Sequence, residues 1–132
     1  MMANILVVTH GNLAEEFISI AESITKSENK AIPVCFDLSL EHVDYPEKMA
    51  EAMEELDRSK PTIILTDLFG GSPSNFAIPY IQKDQIEVIT GLNMPMLLYL
   101  LNQPADMSFE ELARGAKQAG QDAILIAGEF LQ

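Results

Sequence analysis

The sequence contains a single cysteine, Cys35, so no intramolecular disulfide can form. This fits the reducing environment of the cytoplasm. Because Cys35 lies in the apolar segment AIPVCF, away from any Cys-His cluster, we expect a buried structural thiol rather than a reactive one.

Basic residues are also scarce, since 8 Lys and Arg stand against 20 Asp and Glu and give a formal net charge of −12. So acidic a surface repels phosphates, which argues against nucleic acid or an anionic membrane as a partner. It would suit a basic protein partner.

Long apolar runs are absent. No segment approaches the roughly 20 apolar residues that span a bilayer, and the N-terminal MMANILVVTHG lacks the charged and apolar regions of a signal peptide. We therefore expect a cytoplasmic protein.

Familiar cofactor and metal motifs are missing as well. The sequence has no P-loop motif, no G-x-G-x-x-G after the first apolar run and no G-x-S-x-G nucleophile elbow. Two histidines and one cysteine show no zinc-ligand spacing, and His42 is expected to be a plain surface residue. The sequence thus predicts neither a cofactor nor a metal.

What is present is a regular alternation of apolar runs and amphipathic segments. The 132 residues, 48% of them hydrophobic, suffice for one domain with a core of its own, spanning 1–132. The predicted strands are 4–9, 31–37, 61–67, 86–91 and 122–128, and the predicted helices are 12–26, 45–59, 72–83, 92–103 and 108–120. This order predicts a single α/β domain with a mostly parallel open sheet and helices on both faces.

Local signals refine several of these elements. The first helix is predicted to start at an Asn12 cap and to be amphipathic through four apolar residues, Leu13, Phe17, Ile20 and Ile24. Pro33 places the second strand at a sheet edge or makes it begin there.

Helix starts and stops are signalled by serine and proline. Ser72 is predicted to cap the third helix with Pro73 at its first position, and Pro79 to kink or end it. Ser108, followed three residues later by Glu111, is typical of a capping box.

Chemistry is expected where the strands end, because ligands of open α/β sheets collect at the carboxyl ends of the strands. His10 ends the first strand and Asp67 ends the third. Asp67 could accept a hydrogen bond from one imidazole nitrogen and leave the other as a nucleophile. The alternative is that both residues serve only as turn or capping residues.

The segment Gly70-Gly71-Ser72-Pro73 could form an anion cradle opposite His10. Glycines admit a close ligand, and a helix that begins there directs free N–H groups at it. The alternative is a plain tight turn with a serine cap.

Four stretches together resemble the enzyme IIA domain of the mannose family of the bacterial phosphoenolpyruvate-dependent sugar phosphotransferase system (PTS). They are ILVVTHG, TDLFGGSPSN, GLNMPML and GAKQAGQDAILIA, which span nearly the whole chain. THG alone is a weak signal, whereas D-L-F-G-G-S-P-x-N is specific.

The resemblance implies a cytoplasmic phosphocarrier. His10 would accept a phosphoryl group on Nε2 from the histidine phosphocarrier protein (HPr) and pass it to a IIB component, while Asp67 holds Nδ1. Gly70, Gly71 and Ser72 would line the phosphoryl pocket. The membrane components IIC and IID would be served indirectly.

The resemblance also implies assembly with other proteins. It implies a homodimer in which the last strand, 123–127, joins the partner's sheet, with antiparallel pairing as one option. Because the sequence ends soon after that strand, we expect IIB to be a separate protein. Docking on so acidic a protein is expected at an apolar rim, formed by Leu68, Phe69, Leu92 and Met94.

Three rival readings remain open. In a regulatory binding module of an incomplete PTS, phosphorylated His10 would change the affinity for a partner without onward transfer. The phosphoryl-donor subunit of dihydroxyacetone kinase has a similar domain but a different motif after the third strand. A receiver domain phosphorylated on Asp67 would need an acidic cluster where this chain has Thr9-His10-Gly11.

Overall fold

The computed structural model of the protein describes residues 2–38 and 44–131. Its strands are β1 Asn4–His10, β2 Ala31–Phe36, β3 Thr62–Thr66 and β4 Ile86–Thr90. Its helices are α1 Leu13–Thr25, α2 Tyr45–Glu54, α3 Ser72–Ala77, α4 Met94–Leu101, α5 Phe109–Asp122 and α6 Ala127–Phe130. Within the described ranges, none of these helices is both long and apolar enough to cross a bilayer.

The four strands form one parallel sheet in the order β2-β1-β3-β4. The prediction of a mostly parallel α/β sheet is confirmed, and Pro33 lies on the edge strand β2 as expected. Strand β2, which follows β1 in the chain, lies on one side of β1, and strand β3 lies on its other side. The connections therefore diverge at the carboxyl ends of β1 and β3, which opens a crevice there.

Helices cover both faces of the sheet. Alternate residues of β1 point to opposite sides, as the period of two in a strand requires. Ile5 and Val7 pack with α1, α4 and α5, whereas Leu6 and Val8 pack with α2 and α3. Because both faces are buried, the central strands β1 and β3 are continuously apolar, which is why they could be recognised in the sequence.

Helix α1 forms where predicted but buries a different face. Its buried residues are Ala14, Ile18 and Ala21, whereas Leu13, Ile20 and Ile24 are exposed and Phe17 is half-buried. Small alanines allow α1 to lie close to the sheet, and the larger apolar residues are left on the flank. The sequence pattern shows which side chains of α1 are hydrophobic, but not which of them fit against the sheet. Close packing decides which are buried.

The starts of two helices differ from prediction in detail. Asn12 occupies the cap position of α1 without a side-chain cap bond, and instead Thr9 Oγ1 accepts a hydrogen bond from the Ala14 N–H at 2.7 Å. Gly71 is the cap residue of α3, so Ser72 is its first helical residue rather than its cap.

The predicted roles of Pro79 and Ser108 are confirmed, whereas the helix predicted at 45–59 ends at Glu54. Helix α3 gives way to a single 3₁₀ turn, Ile78–Tyr80, around Pro79. Ser108 Oγ accepts a hydrogen bond from the Glu111 N–H at 3.1 Å, as its capping role requires.

The predicted last strand is wrong for the single chain. Helix α5 runs to Asp122, helix α6 begins at Ala127, and the residues between them form no strand. Three apolar side chains there are exposed, Ile124, Leu125 and Ile126. Strand exchange with a second copy stays a prediction.

The packing of α1 leads to a paired prediction. Ile18 is 5% exposed and Ile20 is 49% exposed on the same helix. We expect Ile18→Ala to lower the free energy of unfolding by about 2–4 kcal/mol, because it removes buried methyl groups and leaves a cavity. Ile20→Ala should change it by less than about 1 kcal/mol, since alanine favours the helix and little burial is lost.

The measurement is urea unfolding of both variants beside the unaltered protein. A larger loss for Ile20→Ala than for Ile18→Ala would mean that the face predicted from the sequence pattern is the buried one after all.

Candidate functional site

Two of the predicted site residues meet at the ends of the central strands. His10 is the last residue of β1, and Asp67 directly follows β3. Because β1 and β3 pair in parallel, both residues reach the same edge of the sheet. There the imidazole Nδ1 of His10 lies 2.8 Å from Oδ2 of Asp67.

The carboxylate of Asp67 accepts hydrogen bonds from three N–H donors. Oδ2 accepts from the backbone N–H of His10 at 3.0 Å as well as from the ring, and Oδ1 accepts from the backbone N–H of Leu68 at 3.0 Å. The Asp67 side chain is 10% exposed and that of His10 is 34% exposed. Since a carboxylate only accepts, Nδ1 carries a ring proton, and in the neutral imidazole Nε2 then keeps a free lone pair.

The Gly70-Gly71 turn lies against the other edge of the imidazole. Gly70 has φ +94°, a conformation that L side chains rarely adopt. At Gly71 a Cβ atom would lie 2.7 Å from Cε1 and 3.1 Å from Nε2 of His10. Because real Cβ atoms essentially never come that close, this position needs glycine for its contact with the ring.

Two serines follow this turn. Ser72, which the sequence singled out, is half-buried at the first position of α3. Ser74, which it did not, is buried; its Oγ accepts from the Gly70 N–H at 2.9 Å and donates to the Gly71 carbonyl at 3.0 Å. The signal that could have found it is a serine within the first turn of a helix, where hydroxyls commonly bond to nearby backbone.

Of the four residues predicted to form a docking rim, two are well exposed. Leu68 is 50% exposed and Phe69 is 74% exposed. Leu92 and Met94 are half-buried and pack against the core. The Leu92 N–H donates to the Thr66 carbonyl at 3.0 Å, so the chain after β4 is held beside the end of β3 rather than projecting outward.

The sequence also drew attention to Cys35 and His42. Cys35 is a free thiol, half-buried against the core, so the expected full burial is met only in part. His42 lies outside the described residues. Across residues 2–38 and 44–131, no group of three or more His, Cys, Asp or Glu side chains is placed to hold a metal ion.

The arrangement leaves Nε2 of His10 as the atom available for chemistry. One ring nitrogen is bonded to a carboxylate and the other is unprotonated at a partly exposed edge, which is the orientation used in nucleophilic catalysis. If Nε2 gained an electrophilic group while Nδ1 kept its proton, the ring would become formally positive. Asp67 would stabilise that charge without moving.

A family model matches most of the chain. The model described as "PTS system fructose IIA component" (EIIA-man) matches residues 4–117. That range includes His10, Asp67 and the glycine turn.

Relatives and solved structures point the same way. The chain is 26% identical over 132 residues to the "PTS system fructose-specific EIIA component" of Bacillus subtilis, covering 99% of this chain and 90% of that protein. It is 32% identical over 126 residues to the "PTS system mannose-specific EIIAB component" of Escherichia coli, covering 94% of this chain but only 39% of that protein. The chain thus spans about two fifths of that longer relative.

Among solved structures, the mannose/sorbose specific IIA subunit from Enterococcus faecalis superposes with a TM-score of 0.85 at 28% identity. The match covers 96% of this chain and 95% of that subunit. These findings confirm the resemblance that the strand-end motifs suggested. The chain belongs to the mannose family of enzyme IIA components and is a phosphotransferase component of the sugar PTS.

Proposed function

We propose that this protein is a cytoplasmic phosphocarrier. His10 accepts a phosphoryl group from the phosphohistidine of HPr and passes it to a histidine of a IIB component. The transfer supports the phosphorylation and import of a sugar through the membrane components IIC and IID. The observation that carries the proposal is the 2.8 Å hydrogen bond from Nδ1 of His10 to Asp67, because it leaves Nε2 free to react.

The proposed transfer balances without a metal or a nucleotide. The Nε2 lone pair forms a bond to phosphorus, the phosphorus–nitrogen bond of the donor breaks, and its electron pair stays on the donor's imidazole. The Nδ1 proton remains on His10 and faces Asp67. Onward transfer is the same step in reverse toward the acceptor histidine, so positioning and charge stabilisation supply most of the catalysis.

The phosphoryl group would lie against the turn beside Nε2. A Cβ atom at Gly71 would lie 3.1 Å from that nitrogen and would collide with the ring, whereas one at Gly70 would meet nothing within 4 Å. Gly70 and Ser72 flank it. We propose these three as the residues that line the phosphoryl pocket, with the Ser72 hydroxyl as a hydrogen-bond donor to a phosphoryl oxygen.

Labelling experiments can identify the phosphorylated residue. Incubation with labelled phosphoenolpyruvate, enzyme I and HPr should label the unaltered protein and His42→Ala but not His10→Ala. The phosphate should be acid-labile and alkali-stable, because it is bonded to nitrogen. Asp67→Asn should slow labelling by about 10²-fold or more, since the amide can present an N–H to the ring and favour the wrong tautomer.

Addition of a IIB protein separates transport from the regulatory alternative. A carrier loses its label to IIB, whereas a regulatory module keeps it. Labelling of His10→Ala, or an alkali-labile phosphate, would rule the proposal out.

HPr would have to dock on an acidic protein, and we propose that the exposed pair Leu68 and Phe69 supplies the apolar contact. We expect Phe69→Ser to raise the KM for phosphorylated HPr by about tenfold, the loss typical of one anchoring side chain. Ile24→Ser is the matched control, because Ile24 is 59% exposed but lies at the end of α1 remote from His10. An equal rise in the KM for both variants would show that HPr does not dock on Leu68 and Phe69.

We also propose a homodimer built on the segment after α5. Strand β4 is an edge of the sheet formed by the described residues, and a groove of about 670 Å³ runs along it beside α5. Ile124 and Ile126 are both exposed. In a strand, residues two positions apart point to the same face. The corresponding segment of a second copy would pair with β4 and cover these side chains.

The double change Ile124→Asp with Ile126→Asp should therefore convert a dimer to a monomer in analytical ultracentrifugation, because it places two charges in the buried interface. Ile20→Asp, which alters an exposed residue of α1, should leave the dimer intact. A monomeric unaltered protein, or a dimer that survives the double change, would contradict this assembly.

A further inference from the structure

The turn that contacts the His10 ring is itself fixed by one buried hydroxyl. Ser74 is fully buried, and its Oγ bridges the Gly70 N–H at 2.9 Å and the Gly71 carbonyl at 3.0 Å. It thereby ties together both glycines of the turn. The Gly71 carbonyl also accepts the Asn75 N–H at 3.0 Å, which joins the turn to the first turn of α3.

Ser74 is in turn held by the core. Its helix α3 packs on β1 and β3, and Pro73 and Ala77 on either side of it are buried. The hydroxyl therefore connects a glycine pair, which has little conformational preference of its own, to a helix that packs on the two central strands. Without this hydroxyl, the Gly70 N–H would lose its hydrogen-bond acceptor. The turn would also lose a hydrogen bond that joins it to α3.

The imidazole of His10 is consequently held from two sides. Asp67 bonds to Nδ1 at one edge of the ring. Along the adjoining Cε1–Nε2 bond, the Gly71 backbone is so close that an added Cβ would overlap Cε1. The hydrogen bond alone permits the ring to tilt about it, whereas contact at both edges fixes the direction of the Nε2 lone pair.

We propose that Ser74 is a positioning residue for phosphoryl transfer, acting through the Gly70-Gly71 turn on the ring of His10. This inference rests on the proposed phosphocarrier function. Ser74 does not touch the phosphoryl group; its hydroxyl keeps Gly71 against the Cε1–Nε2 edge. Misplacement of a reacting atom by a fraction of an ångström is enough to slow an in-line transfer substantially.

The test is Ser74→Ala, with Ser23→Ala as the matched control. Ser23 Oγ likewise bonds to a backbone carbonyl of its own helix, that of Ser19 at 3.1 Å, but on the exposed side of α1. We expect Ser74→Ala to lower the transfer rate at saturating phosphorylated HPr by about tenfold while the KM for HPr changes less than twofold. Ser23→Ala should change neither.

A second measurement monitors the imidazole of His10 directly, without phosphoryl transfer. In the unphosphorylated protein, ¹⁵N NMR of the His10 imidazole should show Nδ1–H and bare Nε2, and Ser74→Ala should shift and broaden the ring signals. Ser23→Ala should leave them unchanged. Unaltered rate and unaltered ring signals in a folded Ser74→Ala protein would overturn the inference.

If Ser74→Ala does not fold, Gly71→Ala tests the same contact with the hydroxyl left in place. The added methyl should displace the ring signals of His10, whereas Gly128→Ala, where nothing lies within 4 Å of the added Cβ, should not. Unshifted ring signals in Gly71→Ala would also overturn the inference. If the unaltered protein takes no label, the phosphocarrier function fails, and the NMR comparison still decides whether Ser74 positions the ring.

Discussion

The hydrogen bond between Nδ1 of His10 and Asp67 is the interaction on which the site depends. It connects the ends of the two central strands, and it assigns the ring proton to Nδ1 because a carboxylate can only accept. Two backbone N–H groups, those of His10 and Leu68, bond to the same carboxylate and fix its orientation. Nε2 is thus left as the ring nitrogen without this bond by groups at the ends of β1 and β3.

The topology of the sheet makes this arrangement possible. Parallel pairing aligns Val8 of β1 with Thr66 of β3, so the residues that follow them in the chain emerge at one edge and at similar height. Helix α3 then begins at Ser72, shortly after Asp67, and its cap residue Gly71 lies against Cε1 and Nε2 of the ring. One crossover connection therefore supplies both the group that orients the imidazole and the backbone that confines it.

The same chain leaves several apolar surfaces uncovered. Phe69 lies beside the site, and Ile124 to Ile126 lie after α5 next to the open edge of β4. On a protein with a net charge of −12, long-range attraction does not bring an acidic or phosphorylated partner to the surface. Under the proposed function, short-range apolar contact at these places would hold HPr and a second copy of the chain.

The sequence by itself determined the alternation of strands and helices, the edge position of β2 and the meeting of His10 with Asp67. These follow from apolar runs, from the missing N–H of Pro33 and from the rule that parallel strands end at one edge. The tertiary structure alone decided that α1 buries Ala14, Ile18 and Ala21, that Gly71 rather than Ser72 caps α3, and that Ser74 fixes the glycine turn. It also decided that residues 123–126 form no strand within the single chain, because a strand exists only where another strand bonds to it. Periodicity and motifs depend on neighbours along the chain, whereas close packing and hydrogen-bond partners depend on neighbours in space, which no local pattern specifies.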